Sequence, residues 1–101
     1  MRKKVDSYLG FAAKSRNLVS GYYTCLHAIK QKKLKLLILS EDLSENTVKK
    51  ISKLSNECGV PLRIYGKSEE LSNVTGSQER GVFGIIDVNF ADAILKEIDG
   101  E

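Results

Sequence analysis

Apolar residues recur along the chain with more than one period. In "VDSYLGFAAKSRN", Val5, Leu9, Ala12 and Ala13 follow helical spacing, which predicts a first helix ending near Asn17. Ser20-Gly21 opens a second helix, with Ser20 placed to cap it. On that helix Tyr22, Cys25, Leu26 and Ile29 cluster within about one third of the circumference, and Tyr23, Thr24, His27, Lys30 and Gln31 fall opposite. The run "KLLILS", 35–40, is apolar without alternation, as expected of a strand covered on both faces.

"SENTVKKISKLSNEC" reads as a third helix with Val48, Ile51, Leu54 and Cys58 on one side, stopped by Gly59 and Pro61. "PLRIYG" is a short strand. "SEELSNVTG" is a short helix with Ser68 as its capping serine and Gly76 at its end. "GVFGIID", 81–87, is a third apolar strand. "NFADAILKEI" closes the chain as a helix with Phe90, Ile94, Leu95 and Ile98 facing inward. Leu18–Val19 is compatible with a further short strand. Strands separated by helices imply an α/β fold, a largely parallel sheet with helices on both sides.

A chain of 101 residues with 42% hydrophobic residues holds one core and not two, so residues 1–101 are expected to form a single domain. No apolar run approaches the ~20 residues that span a bilayer. The basic start "MRKKVDSYLGFAAKSRN" lacks a long apolar stretch and a cleavage site, and reads as mature protein. Cys25 and Cys58 fit no metal spacing and no disulfide framework, so a reduced, cytoplasmic protein is expected. Cys25, on the buried side of the second helix, and Cys58, at the end of an amphipathic helix, both read as small core residues and not as nucleophiles. "GSQERGVFG" has glycines at the wrong spacing for a dinucleotide site and precedes a strand. One histidine without paired carboxylates gives no acid–base constellation. No catalytic residue, metal or cofactor is expected, and no small-molecule substrate.

Charge changes the picture of the second helix. Residues 1–35 carry nine Lys/Arg against one acid, net +8; residues 36–101 carry seven against twelve, net −5. Such a split marks a side that meets a polyanion. Arg2, Lys3 and Lys4 also read as a basic end that does no more than solubilise. The polar face has the parts that RNA recognition uses. Open N–H groups at the helix start meet phosphate. Ser20 and Thr24 donate to phosphate or base edges. Tyr22 or Tyr23 offers a stacking surface. Lys14, Arg16, Lys30, Lys32 and Lys33 supply a positive field. The same face also reads as an ordinary solvated helix surface.

The run "LVSGYYTCLHAIKQKKLKLLILSEDLSENT" resembles the corresponding segment of the bacterial YlxQ group. That group belongs to the superfamily of kink-turn RNA-binding ribosomal proteins typified by L-seven-Ae. "YLGFAAKSRNLVSG", "VPLRIYGKSEELSNVTG" and "GVFGIIDVNFADAIL" extend the resemblance over nearly the whole chain. It implies a three-layer α/β/α sandwich with a four-stranded mixed sheet, a partner of structured or ribosomal RNA, a place in translation and no enzymatic activity. In the superfamily the site lies at the start of the second helix, where a Gly-x-Asn-Glu-x-x-Lys motif reads sheared G·A pairs. Its glycine matches Gly21; its asparagine, glutamate and lysine positions fall on Tyr23, Thr24 and His27. A second contact loop falls on Gln78, Glu79 and Arg80. Ser40-Glu41-Asp42 lies nearby, with its two acids expected to cap the next helix. The alternative function is a protein-interaction adaptor on the same fold with RNA binding lost.

Overall fold

The computed structural model describes residues 3–78 and 80–100. The elements are α1 (Lys3–Lys14), β1 (Leu18–Ser20), α2 (Tyr22–Lys30), β2 (Leu36–Leu39), α3 (Glu45–Glu57), β3 (Leu62–Ile64), α4 (Ser68–Thr75), β4 (Val82–Ile85) and α5 (Val88–Asp99). The expected helices and strands are therefore present, and Leu18 does open a short strand. α1 stops at Lys14, short of Asn17, because Arg16 turns into the left-handed region with φ 64°. The Asn17 N–H then donates back to the Ala12 carbonyl at 2.7 Å and closes the helix.

The strand order is β1-β4-β2-β3. β2 and β3 are parallel, while β4 lies between β1 and β2 and runs antiparallel to both. This is the mixed sheet that the family resemblance implies, and it corrects the largely parallel sheet expected from the alternation of helices and strands. The reason lies in α4. Eight residues long, it packs on α1 and does not carry the chain back across the sheet. β4 thus enters from the end at which β3 leaves. Hereafter the upper end is where β1, β2 and β3 finish and β4 begins; the lower end is the opposite one.

Each face of the sheet buries its own apolar cluster. Leu36, Ile38, Phe83 and Ile85 point to the α1, α4 and α5 side, where they meet Val5, Leu9, Leu71 and Ile94. Leu37, Leu39 and Val82 point to the α2 and α3 side, where they meet Cys25, Ile29 and Ile51. All four residues of β2 are buried, which accounts for its unbroken apolar run. Each fully buried Leu or Ile here contributes about 1.5–3 kcal/mol. At the upper end the loop after β2 presses on the start of β4. A Cβ at Gly81 would lie 2.6 Å from Leu43 Cδ1 and 2.8 Å from Ser40 Oγ, so any other residue there would push these two side chains aside.

Candidate nucleic-acid interface

α2 starts at the upper end without a side-chain cap. Ser20 does not cap it. Ser20 is the last residue of β1 and pairs with Phe83, so its backbone is committed to the sheet. Gly21 is the N-cap, with φ 102° and ψ 149°. That conformation is essentially reserved for glycine. The Gly21 N–H donates to the Val82 carbonyl at 2.8 Å, and its carbonyl accepts from the Cys25 N–H at 3.0 Å. The amides of Tyr22, Tyr23 and Thr24 precede this first intrahelical bond, and helix geometry leaves them open.

The guanidinium of Arg80 lies over this opening. A Cβ built on Gly21 would stand 3.3 Å from Arg80 Nη1 and 3.6 Å from its Cζ. The Arg80 backbone is held from behind by Ser72, a buried residue of α4. The Arg80 N–H donates to Ser72 Oγ at 2.8 Å, and that hydroxyl donates back to the Arg80 carbonyl at 3.3 Å. Arg80 stands between two open clefts. One, of about 390 Å³, is walled by Tyr22, Tyr23, Leu43, Thr47 and Lys50; the other, of about 690 Å³, by Glu69, Ser72, Asn73, Ser77 and Gln78. Among the described residues neither Arg80 nor Lys50 forms an ion pair.

The two tyrosines differ. Tyr22 is half-buried against the α2–α3 core, whereas Tyr23 is 81% exposed. Their rings meet edge to face, with centroids 5.1 Å apart and planes at 86°. Tyr22 therefore braces Tyr23, and Tyr23 is the free aromatic surface. Thr24 and His27 are exposed on the same outer side of α2.

Of the residues singled out in the sequence, Ser20, Gly21, Tyr22, Tyr23, Thr24, Gln78 and Arg80 gather at the upper end. Glu79 lies outside the described residues, as does Arg2 of the basic N-terminal run. Lys14, Arg16, Lys30 and Lys33 are not brought to the start of α2. The nine residues of α2, about 13 Å long, carry the chain to the lower end, where Lys30 is the last of them. Leu43, Thr47 and Lys50 were missed. Thr47 and Lys50 are three apart on α3 and so share a side of it, a signal hidden while that helix is read only for its apolar face.

Polar residues near the clefts also depart from expectation. Ser44 caps α3, its Oγ accepting the Thr47 N–H at 3.3 Å. Asp42 instead caps α4, its Oδ1 accepting the Ser68 N–H at 3.1 Å and its Oδ2 the Ser68 hydroxyl at 2.8 Å. Ser68 is thus the first residue of α4 and not its cap, which is Lys67. The hydroxyl of Ser40 and the hydroxyl and amide of Ser68 hold the Asp42 carboxyl down at about 2. Ser40 Oγ is buried and completes no hydrogen bond among the described residues, so it acts on Asp42 as a nearby dipole. Cys25 is buried as expected, and burial pushes its thiol up to about 12. Cys58 is exposed at the C-cap of α3, beyond the last turn that packs, and is not a core residue.

Comparison with known proteins places these features in a wider setting. The model of the ribosomal protein L7Ae/L30e/S12e/Gadd45 family matches residues 3–95. The chain is 32% identical over 91 residues to the RNA-binding protein YlxQ of Bacillus subtilis (strain 168), covering 90% of this chain and 91% of that one. It is 31% identical over 99 residues to the RNA-binding protein YlxQ of Enterococcus faecium, covering 98% and 95%. A structure from Bacillus halodurans, described as a protein with unknown function, superposes with a TM-score of 0.93 at 31% identity over 97% of this chain and 99% of that one. The Giardia lamblia 15.5kD RNA binding protein superposes with a TM-score of 0.82 over 96% of this chain and 86% of that one. At 16% identity, that likeness is one of fold.

Proposed function

Because the chain belongs to the ribosomal protein L7Ae/L30e/S12e/Gadd45 family, we propose that it binds structured RNA through the upper end of its sheet. The observation that carries this reading is the Arg80 guanidinium lying over the uncapped start of α2, beside the exposed ring of Tyr23. Open helix amides and a guanidinium beside them suit a phosphate. An exposed tyrosine at their edge suits an unstacked base.

Paired A-form RNA hides its bases in the stack, so the RNA that fits has a bulge, a kink or a loop. Kink-turn-like and ribosomal RNAs belong to this class, and ribosome association follows from the same reading. Tyr23, Thr24 and His27 replace the asparagine, glutamate and lysine that the resemblance would place there. Base reading by those three is therefore not assigned. Affinity instead comes from stacking on Tyr23, from phosphate contacts of Arg80 and Lys50, and from the amides of residues 22–24. Thr24 and Gln78 add hydroxyl and amide contacts at the rims. The assigned role is binding, and no side chain is given a catalytic part.

The test is fluorescence anisotropy with a bulged RNA hairpin and an unbulged duplex of equal length. The native protein should prefer the bulged RNA. Tyr23→Ala should erase most of the preference, and Arg80→Ala should weaken binding to both. Equal affinity of native protein and both variants for the bulged RNA would refute the site.

A further inference from the structure

Two helix ends in this protein are built in an unusual way. α1 and α2 both finish in the same turn, in which a left-handed residue follows the helix. At α1, Arg16 N–H donates to the Ala13 carbonyl at 3.2 Å and Asn17 N–H to the Ala12 carbonyl at 2.7 Å. At α2, Lys32 N–H donates to the Ile29 carbonyl and Lys33 N–H to the Ala28 carbonyl, both at 3.0 Å. The left-handed positions are Arg16, φ 64°, and Lys32, φ 60°. In α3, α4 and α5 the equivalent positions are Gly59, Gly76 and Gly100. Glycine is the usual occupant, because a Cβ is strained there. The two exceptions are both cations.

Both exceptions lie at the lower end. Lys35 N–H donates to the Ile85 carbonyl at 2.7 Å, and Ile86 N–H donates to the Asn17 carbonyl at 2.9 Å. Asn17 and Lys35 therefore flank the end of β4, two strand spacings or about 10 Å apart. Arg16 precedes the first, and Lys32 and Lys33 precede the second. Lys30 closes α2 beside them. All five cations are exposed, and none forms an ion pair among the described residues. Among the described residues two acids border this end. Glu57 borders the cleft that holds Lys30, Lys32 and Lys35, and Asp87 is engaged in capping α5 through the Phe90 N–H at 2.9 Å. The patch remains strongly positive.

We propose that the lower end is a second RNA-contacting surface, which grips the phosphate backbone of the RNA seated at the upper end. The inference rests on the RNA reading of the upper site. A path joins the two: Tyr23, His27 and Lys30 lie four and three residues apart on the exposed side of α2, spanning about 10 Å. Strain is retained at Arg16 and Lys32 because their charge is used there, in contrast to the three glycine-ended helices.

The strain supplies a test that separates binding from folding. Arg16→Gly with Lys32→Gly removes two charges and relieves both left-handed positions. This double variant should melt at the native temperature or several degrees higher. Its affinity for the bulged RNA hairpin should fall about tenfold at moderate salt, and the slope of log K against log salt should drop by about 2. A control pair, Lys3→Gln with Lys96→Gln, removes two charges elsewhere and should change neither. Native affinity and slope in the double variant would overturn the proposal, as would an equal loss in the control pair. So would binding to phosphatidylglycerol vesicles that the double variant alone loses while its RNA binding stays native. Arg80→Ala measured alongside separates the two sites. If it has no effect while the double variant weakens binding, the upper site fails and the lower surface stands alone.

Discussion

Replacing Gly21 with alanine puts a Cβ on a backbone at φ 102° and ψ 149°. Two costs follow, and they are unequal. The new methyl would stand 3.3 Å from Arg80 Nη1, a tight contact, but one with the far end of a flexible side chain that yields by a few tenths of an ångström. The backbone cannot yield in the same way. The Gly21 N–H is bonded to Val82 of β4 and its carbonyl to the Cys25 N–H, so both flanking peptides are held. The conformational cost is then about 1–3 kcal/mol. For a domain of this size that corresponds to a fall in Tm of about 5–15 °C. Circular dichroism melts of native protein and Gly21→Ala measure it. Gly21→Val should lose at least as much, so a loss of RNA affinity in either variant has to be read against stability. A native Tm in Gly21→Ala would show that the backbone there carries no such strain. Gly21 would then be kept for the close approach of a ligand and not for the chain's own geometry.

Ser72→Ala removes the acceptor of the Arg80 N–H and should cost about 1–2 kcal/mol in urea unfolding; it should also lower RNA affinity, because the Arg80 backbone is released although its guanidinium is chemically unaltered. Unchanged affinity at reduced stability would show that the clamp does not position Arg80. Asp42 ionises at about 2 in the folded protein, below its usual value of 3.8, so its contribution to stability is full above about pH 4 and is lost as pH falls toward 2. Asp42→Asn should flatten that part of the urea midpoint profile between about pH 4 and 2, and an unaltered profile would contradict the capping role. Iodoacetamide near pH 8 should label the exposed Cys58 and spare the buried Cys25, whose thiol is held protonated; rapid labelling of both in the folded state would contradict the burial.

The hydrophobic pattern carried most of the fold. The wheel of α2 separated Cys25 and Ile29 from Tyr23, Thr24 and His27 as the structure does, because burial on one side is a local, periodic property. The direction of β4 was not readable in this way. An unbroken apolar run is the same whether its neighbours are parallel or antiparallel, and only the short span of α4 decides it. Ser20 had the chemistry of a cap and lost that role to pairing with Phe83, a residue far along the chain. The bond from Asp42 to Ser68 spans 26 residues and leaves no local trace. The end of the fold at which the basic residues sit was not legible, for a geometric reason. Arg16, Gly21 and Lys30 are close in sequence, yet β1 and α2 run in opposite directions, so both cations lie at the far end from Gly21.

In the proposed mode of binding, RNA meets the start of α2 and the Arg80 turn. Ultraviolet crosslinking of the protein to its bound RNA, followed by mass spectrometry of the nucleotide-bearing peptides, tests it most directly. An adduct is expected on Tyr23 or its immediate neighbours in residues 22–24, lost in Tyr23→Ala. Adducts confined to α5 or to the exposed edge of β3, with none on α2 or the Arg80 turn, would contradict it.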